Sequence, residues 1–96
     1  MPRFLIEVPH ENSKDACERA MNAFMATGSH FLTNADWGCY DGAHKAWLLV
    51  EVENKDQATQ ILPSLFRAKA NIVELKRLNY QNADSAIEDH SGADPA

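Results

Sequence analysis

The stretch that decides the fold is Ser29-His30-Phe31-Leu32-Thr33-Asn34-Ala35-Asp36-Trp37-Gly38-Cys39-Tyr40-Asp41-Gly42-Ala43-His44-Lys45-Ala46-Trp47-Leu48-Leu49-Val50-Glu51-Val52-Glu53. It reads as a β-hairpin. Asp41-Gly42 is a strong two-residue turn signal, because a type I′ turn needs φ > 0 at both central positions. With the turn there, Tyr40 faces Ala43, Cys39 faces His44, Trp37 faces Ala46, Asp36 faces Trp47 and Phe31 faces Val52. A three-residue loop with a bulge would shift part of this register.

Side-chain alternation separates the two faces of the hairpin. One collects Phe31, Thr33, Ala35, Trp37 and Cys39 with His44, Ala46, Leu48, Val50 and Val52, and is mostly apolar. The other collects His30, Leu32, Asn34 and Asp36 with Lys45, Trp47, Leu49, Glu51 and Glu53. The first has the makeup of a core, the second that of a binding surface.

Outward from the hairpin, residues 3–8 alternate as a strand with Phe4, Ile6 and Val8 on the apolar side, and Pro9 ends it. Ser13 is placed to cap a helix over 14–27, with Cys17, Ala20, Met21 and Phe24 at helical spacing and Gly28 past its end. Asn54, with Gln57 three residues on, begins a second helix whose apolar stripe is Ala58, Ile61, Leu62 and Leu65. Pro63 must kink or break it, for want of an N–H and of room against the preceding turn. Residues 71–78 read as the last strand. The order β-α-β-β-α-β predicts an α+β, ferredoxin-like domain over 1–80. Its four-stranded antiparallel sheet would run last strand, first, third, second, with two helices on one face. Residues 81–96 form an acidic tail, with a short helix near 82–89 or no fixed structure.

Ninety-six residues make one domain with a modest core. No apolar run is long enough to span a membrane, and the first residues lack a signal-peptide layout, so a cytoplasmic protein is expected. Of the net charge of −5, four negative charges come from Asp84, Glu88, Asp89 and Asp94 in a tail without Lys or Arg. The body is left near neutral, with no basic stripe for nucleic acid. Cys17 and Cys39 are expected to be reduced thiols rather than a disulfide framework.

The open sheet face carries the candidate chemistry. Leu5 and Glu7 from the first strand join the polar hairpin face and Ile72, Glu74 and Lys76 of the last strand. Trp47, Leu49, Leu32 and Leu5 make a patch too apolar to stay wet on a small monomer, which suggests a two-fold dimer, sheet against sheet. The charges among them argue for a hydrated or ligand-filled space. His30, Asp36 and Glu51 are candidate acid–base groups, with Lys45, Trp47, Asn34 and Leu49 as ligand-binding residues.

Taking the first and third strands as parallel places Glu7, His10, His30, Glu51 and Glu53 at one end of the sheet. Imidazoles with carboxylates suit a divalent transition metal, so His10, His30 and Glu7 form a candidate ligand set. The other end would hold Asp36, Trp37, Cys39, Tyr40, His44 and Lys45. Cys39 opposite His44 could be an activated thiol or simple packing. Asp36 with Lys45 would be a diagonal ion pair.

The layout over residues 3–80, with Ile61-Leu62-Pro63-Ser64-Leu65-Phe66 followed by Ile72-Val73-Glu74-Leu75, resembles the dimeric α+β barrel proteins and their muconolactone-isomerase-like group. The resemblance implies a homodimer or higher oligomer with a pocket, among relatives that include isomerases, monooxygenases, dehydratases and binding proteins. It carries no catalytic motif over to this chain. Three functions are thus expected in turn: small-molecule binding on the open face with isomerase- or lyase-like proton transfer, divalent-metal binding, and a non-catalytic dimerisation module.

Overall fold

Phe4, Ile6 and Val8 alternate with half-exposed neighbours along β1 (Arg3–Pro9) and are all buried, as a strand with one covered face requires. The computed structural model describes residues 1–78; the tail and its expected helix over 82–89 lie outside the described residues. After β1 come α1 (Lys14–Ala26), the single turn α2 (His30–Thr33), the two-residue β2 (Asp36–Trp37), a 3-10 turn (Cys39–Asp41) and β3 (Lys45–Glu51). Then follow α3 (Lys55–Ile61), the single turn α4 (Ser64–Arg67) and β4 (Asn71–Leu75). The fold is α+β, with a four-stranded antiparallel sheet in the order β2-β3-β1-β4.

The helix signals act as their chemistry demands. The Ser13 hydroxyl accepts from the Ala16 N–H at 3.1 Å, satisfying one of the free donors that open α1. Asn54 Oδ1 accepts from the Gln57 N–H at 2.8 Å, while Gln57 Oε1 reaches back to the Glu53 N–H at 2.9 Å. Pro63 stops α3 and becomes the N-cap of α4. The break re-aims the apolar stripe: Leu62 and Phe66 are buried, whereas Leu65, expected in the core, is 78% exposed.

Three expectations for the hairpin and its neighbours are corrected. First, residues 30–33 form a helical turn rather than a strand. Thr33 N–H donates to Ser29 O, and Asn34 Nδ2 to His30 O. The turn sends Leu32 into the core and leaves Phe31 40% exposed, the reverse of the alternation. Second, Asp41-Gly42 is not a type I′ turn, for only Gly42 of the pair has positive φ (81°). Gly38 O accepts from both the Asp41 and Ala43 N–H groups, closing a wider loop, yet β2 keeps the expected pairs Asp36 with Trp47 and Trp37 with Ala46. Third, β1 and β3 are antiparallel, with Pro9 opposite Lys45 and Arg3 opposite Glu51.

The core lies between the sheet and the helices. Phe4, Ile6, Val8, Ala46, Leu48 and Val50 supply the sheet side, and Ala20, Phe24, Leu32, Ala58, Leu62 and Phe66 the helical side. Ile72 packs against it, opposite Ile6, so the open face takes Val73 in place of the expected Ile72. No helix among the described residues is long and apolar enough to cross a membrane.

Candidate metal centre

The antiparallel pairing of β1 and β3 determines the site. The chain leaves β1 at Pro9 exactly where β3 begins, and the ladder continues one step beyond the strands: the His10 N–H donates to His44 O at 3.0 Å. Two imidazoles therefore meet at this end of the sheet, edge to face, with ring centres 5.5 Å apart. Cys17 arrives from the first turns of α1, held by the Ser13 cap. Cys39 arrives from the 3-10 turn between β2 and β3.

One donor atom from each of His10, Cys17, Cys39 and His44 lies within 4.8 Å of all the others. His10 Nε2 is 2.8 Å from Cys17 Sγ and 3.2 Å from Cys39 Sγ, and Cys17 Sγ is 3.5 Å from His44 Nδ1. Tetrahedral zinc, with bonds of about 2.0–2.3 Å to nitrogen and sulfur, sets its ligand atoms about 3.3–3.8 Å apart. The pairs at 3.2 and 3.5 Å are already near that range, and His10 Nε2 and Cys17 Sγ, at 2.8 Å, would part by about half an ångström or more. Cys17 is buried and the other three are half-buried.

The back wall of the cluster is continuous with the core. Phe66 meets Phe24 at 5.6 Å, Phe24 meets Trp37 at 5.0 Å, and Trp37 meets His10 at 6.1 Å between ring centres. Gly38 makes the turn fit against Trp47, because a Cβ there would stand 2.7 Å from Trp47 Cζ3 and 2.8 Å from Ala43 O. The front opens on a cleft of about 350 Å³ lined by Cys17, Cys39 and His44 together with Lys14, Glu18, Met21 and Tyr40.

The electrostatics suit a cation that is supplied from outside. Burial, and then the charge of His44, hold His10 below the ordinary histidine range, so its ring is the neutral form that ligates metal. Its Nδ1 is buried with no hydrogen-bond partner among the described residues. The Cys39 thiol is pushed up to about 11, by burial first and then by its hydrogen bond to Cys17 and the charge there. That direction is the opposite of an activated nucleophile, which needs a depressed pKa. A bound cation is the one element that would turn both sulfurs into thiolates, as a coordinating thiol is deprotonated outright.

The expected site residues are scattered. Of the metal set His10, His30 and Glu7, the cluster contains His10 alone. His30 is exposed on α2, and Glu7 lies on the open face, where its Oε1 accepts from Trp47 Nε1 at 3.1 Å and pairs with Lys45 Nζ at 3.6 Å. Lys45 thus pairs with Glu7 and not with Asp36. Lys45, Trp47 and Leu49 do share the open face. Asn34 instead caps the C-terminus of α2, its Nδ2 donating to His30 O. Asp36 stands opposite Trp47 and Glu51 lies four residues farther along β3, about 13 Å at the rise of a strand, so these carboxylates do not act on one atom. Glu51 and Glu53 are at the end of β3 remote from His10.

Sequence reasoning passed over Cys17 as a core residue and separated His10 from His44 by orienting β1 wrongly. The signal that could have found the centre is the antiparallel rule itself, which sets the residue after β1 beside the residue before β3. Comparison with protein-family models, with curated proteins and with solved structures finds no match for this chain. The functional reading therefore rests on the geometry.

Proposed function

We propose that this protein binds one divalent transition-metal ion, with Zn²⁺ as its natural occupant, through His10, Cys17, Cys39 and His44. The observation that carries this reading is the convergence of four donor atoms within 4.8 Å from four separate parts of the chain. Two sulfurs and two imidazole nitrogens are a borderline-soft donor set. It suits Zn²⁺ and related d-block ions and is wrong for Mg²⁺ or Ca²⁺, which take oxygen ligands.

Four protein donors fill a tetrahedral shell and keep no position for water or substrate, which favours holding a metal over metal-assisted catalysis. The cleft over three of the ligands gives the ion a route in and out, and the apolar core is complete without it. Both features support a protein that acquires, carries or senses the metal, above one that uses it only as a staple. The strand order and the helix-covered face support a ferredoxin-like assignment of the fold. The metal centre needs no second subunit, since all four ligands come from one chain.

The test is metal analysis of untagged protein purified without chelators, followed by Co²⁺ titration of the stripped protein. One metal per chain and the intense thiolate-to-cobalt absorption of a tetrahedral site are expected. Single His10→Ala, Cys17→Ser, Cys39→Ser and His44→Ala variants should each lose about 100-fold in affinity, a share of the roughly 10–16 kcal/mol typical of four-ligand zinc sites. His30→Ala should lose nothing. A protein that passes gel filtration without metal and gives no cobalt–thiolate band overturns the proposal.

A further inference from the structure

We infer that Cys17 and Cys39 are a paired redox site, which a hydroperoxide converts to an intramolecular disulfide with release of the metal. The disulfide rests on the placement of the two thiols; the release rests also on the metal-binding reading above.

Both cysteines are free, their sulfurs lie within 4.8 Å of each other, and each is close to His10 Nε2, at 2.8 Å for Cys17 and 3.2 Å for Cys39. A disulfide needs the sulfurs at about 2.05 Å, and the element that must move is the short loop carrying Cys39, bounded by Gly38 and Gly42. Cys17 is fixed on α1. The cleft brings a small oxidant to both sulfurs, and Cys39 is the more exposed of the two.

The chemistry balances with a hydroperoxide as oxidant. The Cys39 sulfur, a thiolate when it holds the metal and otherwise reactive only through its small deprotonated fraction, attacks the outer peroxide oxygen, the O–O bond breaks, and the leaving oxygen departs as water or alcohol after taking a proton. Cys39 is then a sulfenic acid. The Cys17 thiolate attacks that sulfur, the S–S bond forms, and hydroxide leaves and is protonated to water. Two electrons pass from the sulfurs to the peroxide. The metal keeps its oxidation state and loses two of its four ligands, leaving two imidazoles that cannot hold it against solvent. A dithiol reductant restores both thiolates and the site.

The experiment treats zinc-loaded and metal-stripped protein with stoichiometric hydrogen peroxide. Zinc release is followed with a chromogenic chelator, and the covalent state by intact mass and peptide mapping. Expected are the loss of two hydrogens per chain, a cross-linked peptide joining Cys17 to Cys39, one zinc released per disulfide, and rebinding after dithiothreitol. Cys17→Ser should leave a sulfenic acid on Cys39 that dimedone traps. Sulfinic acid or disulfide-linked dimers in place of the internal bridge overturn the inference, as does a disulfide formed with zinc retained. Protein that holds zinc but forms no bridge overturns the pairing alone. Protein that forms the bridge but never held zinc overturns the metal-binding reading, and the release with it.

Discussion

At the scale of single residues, the cluster joins groups shifted away from charge. His10 binds its proton less tightly in the folded protein than in the unfolded chain, and Cys39 holds its proton more tightly. For the metal-free protein the signs follow by linkage. As pH falls below the ordinary His10 value of 6.5, the unfolded chain takes up the proton first, and stability is lost. As pH rises from 9.0 towards about 11, the unfolded chain releases the Cys39 proton first, and stability is lost again. The denaturation midpoint of the stripped protein should therefore be highest between these limbs. Measured against pH, it should lose its acid limb in His10→Ala and its alkaline limb in Cys39→Ser. A profile unchanged by either substitution would remove these residues from the shared buried site described above.

At the scale of elements, the 3-10 turn is the part on which the centre depends. It presents Cys39 only because the chain can pass close to Trp47 at Gly38 and adopt a left-handed residue at Gly42. A methyl at Gly38 has no flexible neighbour to displace, since one of its contacts is the Ala43 backbone. Gly38→Ala should cost about 1–3 kcal/mol, as overpacking does, and should move Cys39 out of register with the other donors. Thermal unfolding and cobalt titration of the same sample would show both losses together. Unchanged metal affinity would mean that the turn does not position Cys39.

At the scale of the whole molecule, core and centre are separable but coupled. Twelve buried apolar side chains join sheet and helices without help from the metal ligands. The stripped protein should therefore keep its fold, with native far-UV and near-UV circular dichroism. Added Zn²⁺ should raise its unfolding temperature, by the equivalent of about 4 kcal/mol at a thousandfold excess over Kd. Metal removal that unfolds the chain would make the ion a structural staple. The coupling runs through the aromatic series Phe66, Phe24, Trp37 and His10. Phe24→Ala, a cavity of about 3–5 kcal/mol in such a core, should weaken metal binding along with the fold.

The sequence by itself determined the α+β class, the buried faces of β1 and β3, the caps at Ser13 and Asn54 and the break at Pro63. Those features arise from contacts within a few residues, or from a strand period that the residue pattern displays directly. It did not determine α2, because four residues with Leu32 and Phe31 at adjacent positions serve a strand or a helical turn equally, and only burial of Leu32 in the core chooses between them. Nor did it determine the metal centre. His10, Cys17, Cys39 and His44 follow no short ligand spacing, and what makes them neighbours is the direction in which β3 lies against β1. That direction is a property of the assembled sheet, and reversing it carries His10 from the thiols to the carboxylates at the opposite end.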